Sequence, residues 1–227
     1  FFSKNVSILS AFIFSIIPLN IYSCGQISSV NLQILFSLLF LKFLFLTIKK
    51  QSNYNLFFFS IVTGLLLLTR GEFLLIFLII VFYIYLKKKI KMKNLLKILI
   101  VVSLVIFPYL ARNYIHFNQI MIVKSLGYNL WKGNNEVSTV EGYENLNNRN
   151  FINLNKEFNK IVVNKYYEIN RDKIFLNEAM ENLYKNPKRY LSLFFEKLFS
   201  FYFIDINSGY PNYYNFFHIL PIIIISI

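Results

Sequence analysis

Acidic residues, cysteine, histidine, glycine and proline are scarce in this sequence. Of 227 residues, 11 are Asp or Glu, 2 are His, 1 is Cys, 7 are Gly and 5 are Pro. A single cysteine excludes an intramolecular disulfide framework and a cysteine-based zinc site. Two distant histidines form no recognisable metal-ligand motif. The low glycine and proline content excludes a collagen-like fibre, a glycine-rich linker and a disordered tail.

Apolar and basic residues are abundant instead. Hydrophobic residues make up 56% and aromatic residues 19% of the chain, and 24 Lys and Arg give a net charge of +13. Charged residues are only 15%, whereas soluble domains usually contain about 25%. The composition therefore indicates an integral membrane protein. Because the lysines cluster at the ends of apolar segments, membrane lipids are the expected partner and nucleic acid is not.

Five apolar segments precede the polar part of the chain. They comprise residues 6–22, 31–48, 56–68, 73–86 and 95–110. The second is long enough to cross a membrane, the first and fifth are at the lower limit, and the other two are short. A secretory signal peptide is an alternative for residues 1–24, although no small-residue cleavage site follows. The sequence predicts an all-α protein with a polytopic transmembrane helix bundle.

A polar break at residues 69–72 separates the third and fourth segments. We expect two short helices that meet there at a shallow loop on the non-cytoplasmic side. The alternative is one long bent helix in which Arg70 and Glu72 are buried together. The two alternatives differ in whether the helix is interrupted at residue 70.

Lysines determine the predicted orientation in the membrane. Lys49 and Lys50 follow the second segment, and five lysines lie within residues 87–93 after the fourth. Cytoplasmic loops are enriched in Lys and Arg, so both loops are expected on the cytoplasmic side. Alternation then predicts that residues 69–72 and the chain after Leu110 lie on the opposite side.

The distribution of charge marks a domain boundary. Residues 1–110 contain eleven Lys and Arg but one acidic residue, whereas residues 111–227 contain thirteen and ten. We predict transmembrane helices over 1–110, a small, mostly helical, non-cytoplasmic module over 111–215, and the start of a further transmembrane helix over 216–227. Since that last apolar run is shorter than a membrane span, we expect the sequence to be a piece of a longer protein.

Three helices are predicted in the module from the spacing of apolar residues. They cover residues 154–166, residues 174–184 and residues 187 to about 203. Asn186 and Pro187 predict the break before the third helix. That helix either lies in the membrane interface, because basic residues accompany its apolar ones, or is an ordinary packed helix. Residues 120–123 are expected to be extended, and 133–150 to form a polar loop.

Four stretches, in order along the chain, contain recognisable motifs. They are GLLLLTRGE at 64–72, PYLARNY at 108–114, GYNLWKGNN at 127–135 and NPKRYLSLFFEK at 186–197. Together they resemble polytopic glycosyltransferases of the GT-C superfold, most closely the protein O-mannosyltransferase-like and aminoarabinose-transferase-like families. Gly71 stands where those families usually have proline. Residues 18–32 resemble a further loop of these families, in which Val30 replaces the usual glutamate.

The resemblance implies sugar transfer outside the cytoplasm from a polyprenyl-phosphate-linked donor. It also implies that a carboxylate in the first non-cytoplasmic loop activates the acceptor or binds a metal. We expect that loop upstream of Phe1, so no catalytic residue and no metal ligand is assigned, and the cofactor stays open. Glu72 is the only carboxylate within residues 1–110.

Candidate substrate-binding residues occupy the motif positions. A lipid phosphate requires a cation at the membrane surface, and Arg70 and Arg112 are the candidates. As alternatives, Arg70 pairs with Glu72 to close a loop, and Arg112 is an ordinary interfacial arginine. Aromatic rings stack on sugar faces, and side-chain amides hydrogen-bond to hydroxyl groups. The remaining candidates are Glu72, Asn113, Asn129, Trp131, Asn134 and Asn135.

A structural alternative exists for the third motif and a functional one for the whole chain. Gly133 permits a tight turn, in which case Trp131 is an interfacial residue. The predicted function is that of a membrane glycosyltransferase in the bacterial inner membrane, with residues 111–215 in the periplasm. The alternative is a non-catalytic or transport/flippase-type polytopic membrane protein. Transporters often contain internal repeats and mid-membrane charges, and neither is visible in this sequence.

Overall fold

The computed structural model describes residues 3–26 and 28–202, and the regular elements in these ranges are helices. The all-α class is therefore confirmed for the described part of the chain. The chain forms two compact units, which divide between Ile122 and Val123. The further membrane helix predicted over residues 216–227 lies outside the described residues.

The described residues of unit 1, 3–26 and 28–122, form six α-helices. They are α1 (Lys4–Ile16), α2 (Pro18–Cys24), α3 (Val30–Lys49), α4 (Asn53–Thr69), α5 (Phe73–Leu86) and α6 (Met92–Phe117). The single segment predicted over residues 6–22 is wrong, because the helix is interrupted at Ile17. Proline lacks a backbone N–H and disfavours helical geometry at the residue before it, so Pro18 begins a new helix.

Two helices of unit 1 are long and apolar enough to cross a membrane. These are α3, with 20 residues, and α6, with 26 residues. The apolar helices α1, α4 and α5 are shorter. Large apolar side chains also cover the outside of this unit, and Leu75, Phe82 and Leu104 are exposed by 68%, 62% and 64%. Such a surface is unfavourable in water and favourable in lipid, which supports association with a membrane.

Helix α4 forms the centre of unit 1 and packs against α3 and α6. A Cβ on Gly64 would lie 2.6 Å from Cγ1 of Val105, so the absence of a side chain allows α4 and α6 to approach closely. Near the start of both helices, Lys97 Nζ donates to Asn53 Oδ1 at 3.3 Å. Because Asn53 lies beside Lys97 and Gly64 beside Val105, α4 and α6 run in the same direction.

The side chain of Gln51 connects the two lysine-rich loops of unit 1. Its Nε2 donates to the carbonyl oxygen of Lys89 at 3.0 Å, and its Oε1 accepts from the backbone N–H of Lys91 at 3.1 Å. The loop after α3 and the loop after α5 therefore lie at the same end of unit 1. Residues 69–72 and the last turns of α6 lie at the opposite end, since α4 and α6 both run away from the lysines.

Helix α6 extends beyond the predicted fifth segment. The apolar pattern ends at Leu110, whereas the helix continues to Phe117 and ends where Asn118 adopts a left-handed conformation with φ 51°. Residues 111–117 contain neither glycine nor proline, so nothing in them terminates a helix. Residue 111 thus lies inside a helix, and the division between the units comes later.

The described residues of unit 2, 123–202, form four α-helices and a short 3₁₀-helix at Arg149–Phe151. The α-helices are α7 (Leu126–Asn134), α8 (Ile152–Phe158), α9 (Tyr167–Lys185) and α10 (Pro187–Tyr202). The helix predicted over 174–184 and the helix starting at Pro187 are confirmed. The helix predicted over 154–166 is wrong beyond Phe158, and residues 120–123 are irregular. The tight turn at Gly133 is also wrong, because Gly133 lies in α7.

The core of unit 2 is aromatic. Trp131 of α7 packs against Phe151 and against Phe175 of α9, with ring centroids 5.1 Å and 4.7 Å apart. Leu154 and Ala179 complete the buried cluster. Burial of such large rings is the main favourable contribution to the stability of this unit.

Candidate functional site

The junction between α4 and α5 is a break in the helix at Arg70. The backbone there is extended (φ −146°, ψ 102°), and the Arg70 N–H donates to the Leu66 carbonyl at 2.9 Å. The alternative of one long bent helix is therefore wrong. The lone glycine at position 71 and the preceding extended residue separate two apolar helices of opposite direction.

The guanidinium of Arg70 is partly buried and incompletely satisfied. Its Nε is buried and has no hydrogen-bond partner within the described part of the chain. Glu72 is exposed, and within residues 3–26 and 28–202 no ion pair joins it to Arg70. The predicted alternative in which Arg70 and Glu72 close a loop as an ion pair is not observed. A buried donor without an acceptor is unfavourable by roughly 1–3 kcal/mol, which an anionic ligand would remove.

Arg112 and Asn113 lie inside α6, one turn before its end and beyond the apolar segment that ends at Leu110. Arg112 is exposed, and its Nη1 donates to Asn113 Oδ1 at 3.1 Å. Asn113 is buried, and its Nδ2 donates to the Met121 carbonyl at 2.8 Å. Asn113 therefore fixes the position of the residues that follow α6. The Arg112 guanidinium is exposed, and its other N–H groups can donate to a ligand.

Arg70 and Arg112 lie at the same end of unit 1. Gly64 contacts Val105, and the two arginines follow these contact points by six and seven residues on helices of the same direction. At about 1.5 Å per helical residue, both therefore lie roughly 10 Å beyond the contact. This end is opposite the lysine-rich loops.

The GYNLWKGNN stretch belongs to helix α7 and to its C-terminal end. Trp131 is 0% exposed and packs in a buried cluster with Phe151, Phe175, Leu154 and Ala179. Its ring has no face available for a sugar, so the predicted stacking role is not supported. Its Nε1 is also buried without a partner among the described residues.

The three asparagines of this stretch differ in their surroundings. Asn135 is 0% exposed; its Nδ2 donates to the Tyr143 carbonyl at 2.7 Å, and its Oδ1 accepts from Val137 N–H at 3.0 Å. Asn134 Nδ2 donates to the Leu130 carbonyl at 2.9 Å. Asn129 is exposed, and its Nδ2 donates to Ser125 Oγ at 3.4 Å. Asn135 therefore organises the polar loop, and Asn129 is the asparagine of this stretch that faces solvent.

Sequence reasoning missed a charged cluster around Glu144. Tyr128 Oη donates to Glu144 Oε2 at 2.7 Å, and Lys132 Nζ lies 2.5 Å from the same oxygen. The hydrogen bond from Lys132, and then that from Tyr128, lowers the pKa of Glu144. Burial, and then the bond to Glu144, raises the pKa of Tyr128. The four-residue spacing of Tyr128 and Lys132 indicates one helix face, but nothing local identifies Glu144 as their partner.

Two basic side chains fasten α10 to the rest of unit 2. Arg189 donates to the carbonyl oxygens of Asn135 and Ser138, both at 3.1 Å. Lys197 Nζ donates to the Gly133 carbonyl, and burial, followed by repulsion from Arg189, lowers the pKa of Lys197. These contacts join residues far apart in sequence, so no local pattern predicts them.

Comparison with known proteins identifies no family for this chain. No family model, curated protein or solved structure matches this chain. Within the described ranges, no group of three His, Cys, Asp or Glu side chains is arranged to hold a metal ion. The candidate phosphate site therefore consists of Arg70 and Arg112 in unit 1. Asn129 is a separate, exposed candidate in unit 2.

Proposed function

We propose that this chain belongs to a membrane glycosyltransferase that takes a sugar from a polyprenyl-phosphate-linked donor. The acceptor lies on the non-cytoplasmic side, which for a bacterial inner membrane is the periplasm. The proposal rests on the motifs at 64–72, 108–114, 127–135 and 186–197. The structural observation that carries it is the buried Nε of Arg70, which has no hydrogen-bond partner among the described residues, at the break between two apolar helices.

Arg70 suits a lipid-linked phosphate for two reasons. Its flanking helices, α4 and α5, are strongly apolar and can contact the polyprenyl chain, while the guanidinium contacts the phosphate. A planar guanidinium forms strong, charge-assisted bonds to phosphate oxygens. Binding would supply the acceptor that Nε lacks.

Arg112 is the second cation for the same phosphate. It is exposed at the same end of unit 1 as Arg70, and Asn113 orients it through the 3.1 Å bond. That end is opposite the lysine-rich loops, which are expected in the cytoplasm. The arginines would therefore meet a donor in the outer leaflet.

Glu72 and Asn129 are the remaining substrate-binding candidates with exposed side chains. A carboxylate and a side-chain amide both accept hydrogen bonds from sugar hydroxyl groups. Neither is assigned as the catalytic base, because the resemblance attributes that role to a carboxylate upstream of Phe1. Buried Trp131 and Asn135 are not part of this proposal.

A non-catalytic membrane protein is the second candidate. Trp131 and Asn135, which occupy the most specific of the motifs, are both fully buried and serve the packing of unit 2. That observation favours a chain that has kept the architecture of the family without its sugar site. The two candidates differ in whether the arginines bind a lipid phosphate.

Native mass spectrometry of the full-length protein in detergent tests the proposal. The probes are a polyprenyl monophosphate and the uncharged polyprenol of the same length. We expect the phosphate to be retained preferentially, and Arg70→Ala to weaken its binding by at least about tenfold, the effect of losing one charged hydrogen bond. Lys93→Ala, at the opposite end of unit 1, is the matched control. Equal retention of both probes, or insensitivity to Arg70→Ala, would reject the proposal.

A further inference from the structure

One face of α10 is apolar and exposed over residues 191–198. Leu191, Phe194, Phe195 and Leu198 are exposed by 44% to 60%. They recur at helical spacing on one side of the helix. The opposite side holds the buried residues Tyr190 and Leu193, which pack within unit 2. Exposed clusters of this size mark sites that contact another apolar phase.

The orientation of this face is fixed by polar contacts. Arg189 holds the loop carbonyls of Asn135 and Ser138, and Lys197 holds the carbonyl of Gly133. Both bonds lie on the side of α10 that faces unit 2. The helix therefore cannot rotate to bury its apolar side chains without breaking them. The apolar face needs a partner from outside the described part of unit 2.

We propose that this face of α10 lies in the surface of the lipid bilayer, parallel to the membrane. Its charge suits anionic headgroups, because exposed Lys188 borders the apolar side chains. Amphipathic helices with basic borders bury their apolar face about 5–10 Å into the boundary between headgroups and acyl chains. Each basic residue near an anionic surface adds to the attraction.

The position of α10 in the sequence also favours lipid as the partner. Residues 203–215 connect it to the apolar run 216–227, and a connection of that length spans at most about 45 Å. If the run enters the bilayer, α10 stays within reach of the same surface. The inference is independent of the proposed enzymatic function, since it requires only that the chain is anchored in a membrane.

Quenching by spin-labelled lipids tests this inference. The exposed Cys24 is first removed by Cys24→Ser. Phe195→Cys then carries an environment-sensitive fluorophore in the full-length protein, reconstituted in vesicles of phosphatidylglycerol and phosphatidylcholine with a nitroxide on the acyl chain. Glu196→Cys is the matched control, because this neighbouring position is also exposed but lies about 100° around the helix, outside the apolar face. We expect quenching at position 195 to be at least about twofold stronger than at 196, since only position 195 would enter the acyl region.

Two results would overturn the inference. Equal, weak quenching at both positions with water-like emission would show that the face remains in solvent. Blue-shifted emission at position 195 without lipid quenching would show that a protein segment, such as a second copy of the chain, covers it. We also expect weaker quenching at position 195 when Lys188 is replaced by glutamate, or when the vesicles contain no phosphatidylglycerol. Unchanged quenching in both experiments would show that attraction to anionic headgroups does not contribute to binding.

Discussion

Gly127 lies against Asp172 so closely that a Cβ on residue 127 would fall 2.0 Å from the Asp172 carbonyl oxygen. The next residue, Tyr128, donates its backbone N–H to Asp172 Oδ1 at 2.9 Å. The first turn of α7 therefore rests directly on the backbone of α9. The buried carboxylate satisfies a donor that has no partner inside α7, which is the role of a capping residue supplied by another helix.

Gly127→Ala is expected to destabilise unit 2 by at least about 2 kcal/mol, because the backbone of α7 or α9 must shift. Gly133→Ala in the same helix is the matched control. Its Cβ would meet only the flexible end of Lys197, at 3.2 Å, and alanine is the better helix former. Thermal unfolding followed by circular dichroism distinguishes the two. Equal melting temperatures for both variants would contradict the close approach.

Trp131→Ala is expected to lower the free energy of unfolding by about 3–5 kcal/mol, since it leaves a cavity in the aromatic core. Trp131→Phe should cost only about 1–2 kcal/mol, because a ring remains to contact Phe151 and Phe175. Removing the unpartnered Nε1 also removes an unfavourable buried donor. Chemical denaturation followed by far-ultraviolet circular dichroism measures both. A Phe variant as unstable as the Ala variant would show that the indole nitrogen has a partner.

Comparing Asn135→Ala with Asn129→Ala tests which of the two asparagines contributes to the stability of unit 2. Asn135→Ala leaves the Tyr143 carbonyl and the Val137 N–H without their partners, so we expect a loss of about 2 kcal/mol or more. Asn129 is exposed, so its replacement should change the stability by less than about 0.5 kcal/mol. Unfolding by urea tests this difference. Comparable losses for both variants would contradict the different burial of the two side chains.

Glu144 should titrate below the ordinary value for a glutamate of 4.5. A lowered pKa in the folded state means that the Glu144 cluster stabilises the fold above the unfolded-state pKa. This stabilisation is lost as the pH falls through the folded-state pKa. Carboxyl ¹³C NMR of the labelled protein measures the titration. Lys132→Gln should raise the pKa of Glu144, because Lys132 is the main cause of the shift.

The control for this titration is Lys185→Gln. Lys185 pairs with Glu181 at 2.7 Å and is absent from the causes of the shift at Glu144. It should therefore leave the pKa of Glu144 unchanged. If both variants change the pKa equally, general charge rather than the Lys132 contact is responsible.

Local sequence signals predicted a large part of the helical architecture. The polar residues at 69–72 predicted the break between α4 and α5, and Asn186 with Pro187 predicted the start of α10. The prediction that both lysine-rich loops lie on one side agrees with their position at one end of unit 1, where Gln51 connects them. These features depend on residues close in sequence or on charge, and both can be read without the fold.

The surroundings of the candidate site residues could not be predicted in the same way. Residue type alone does not distinguish buried Asn135 from exposed Asn129, because their burial depends on the packing of α7 against α9 and the polar loop. The contact between Arg189 and the Asn135 carbonyl joins distant parts of the sequence. The apolar pattern also does not predict the end of α6, because the pattern ends at Leu110 and the helix continues to Phe117.

Consumption of the donor lipid is the most direct test of the proposed function. Membrane vesicles containing the full-length protein are supplied with radiolabelled polyprenyl-phosphate-linked hexoses and pentoses, and the sugar remaining on the lipid is followed by chromatography. We predict loss of sugar from at least one donor, abolished by Arg70→Ala and retained by Lys93→Ala. Donors that remain intact with the wild-type protein, or are consumed equally by Arg70→Ala, would contradict the account.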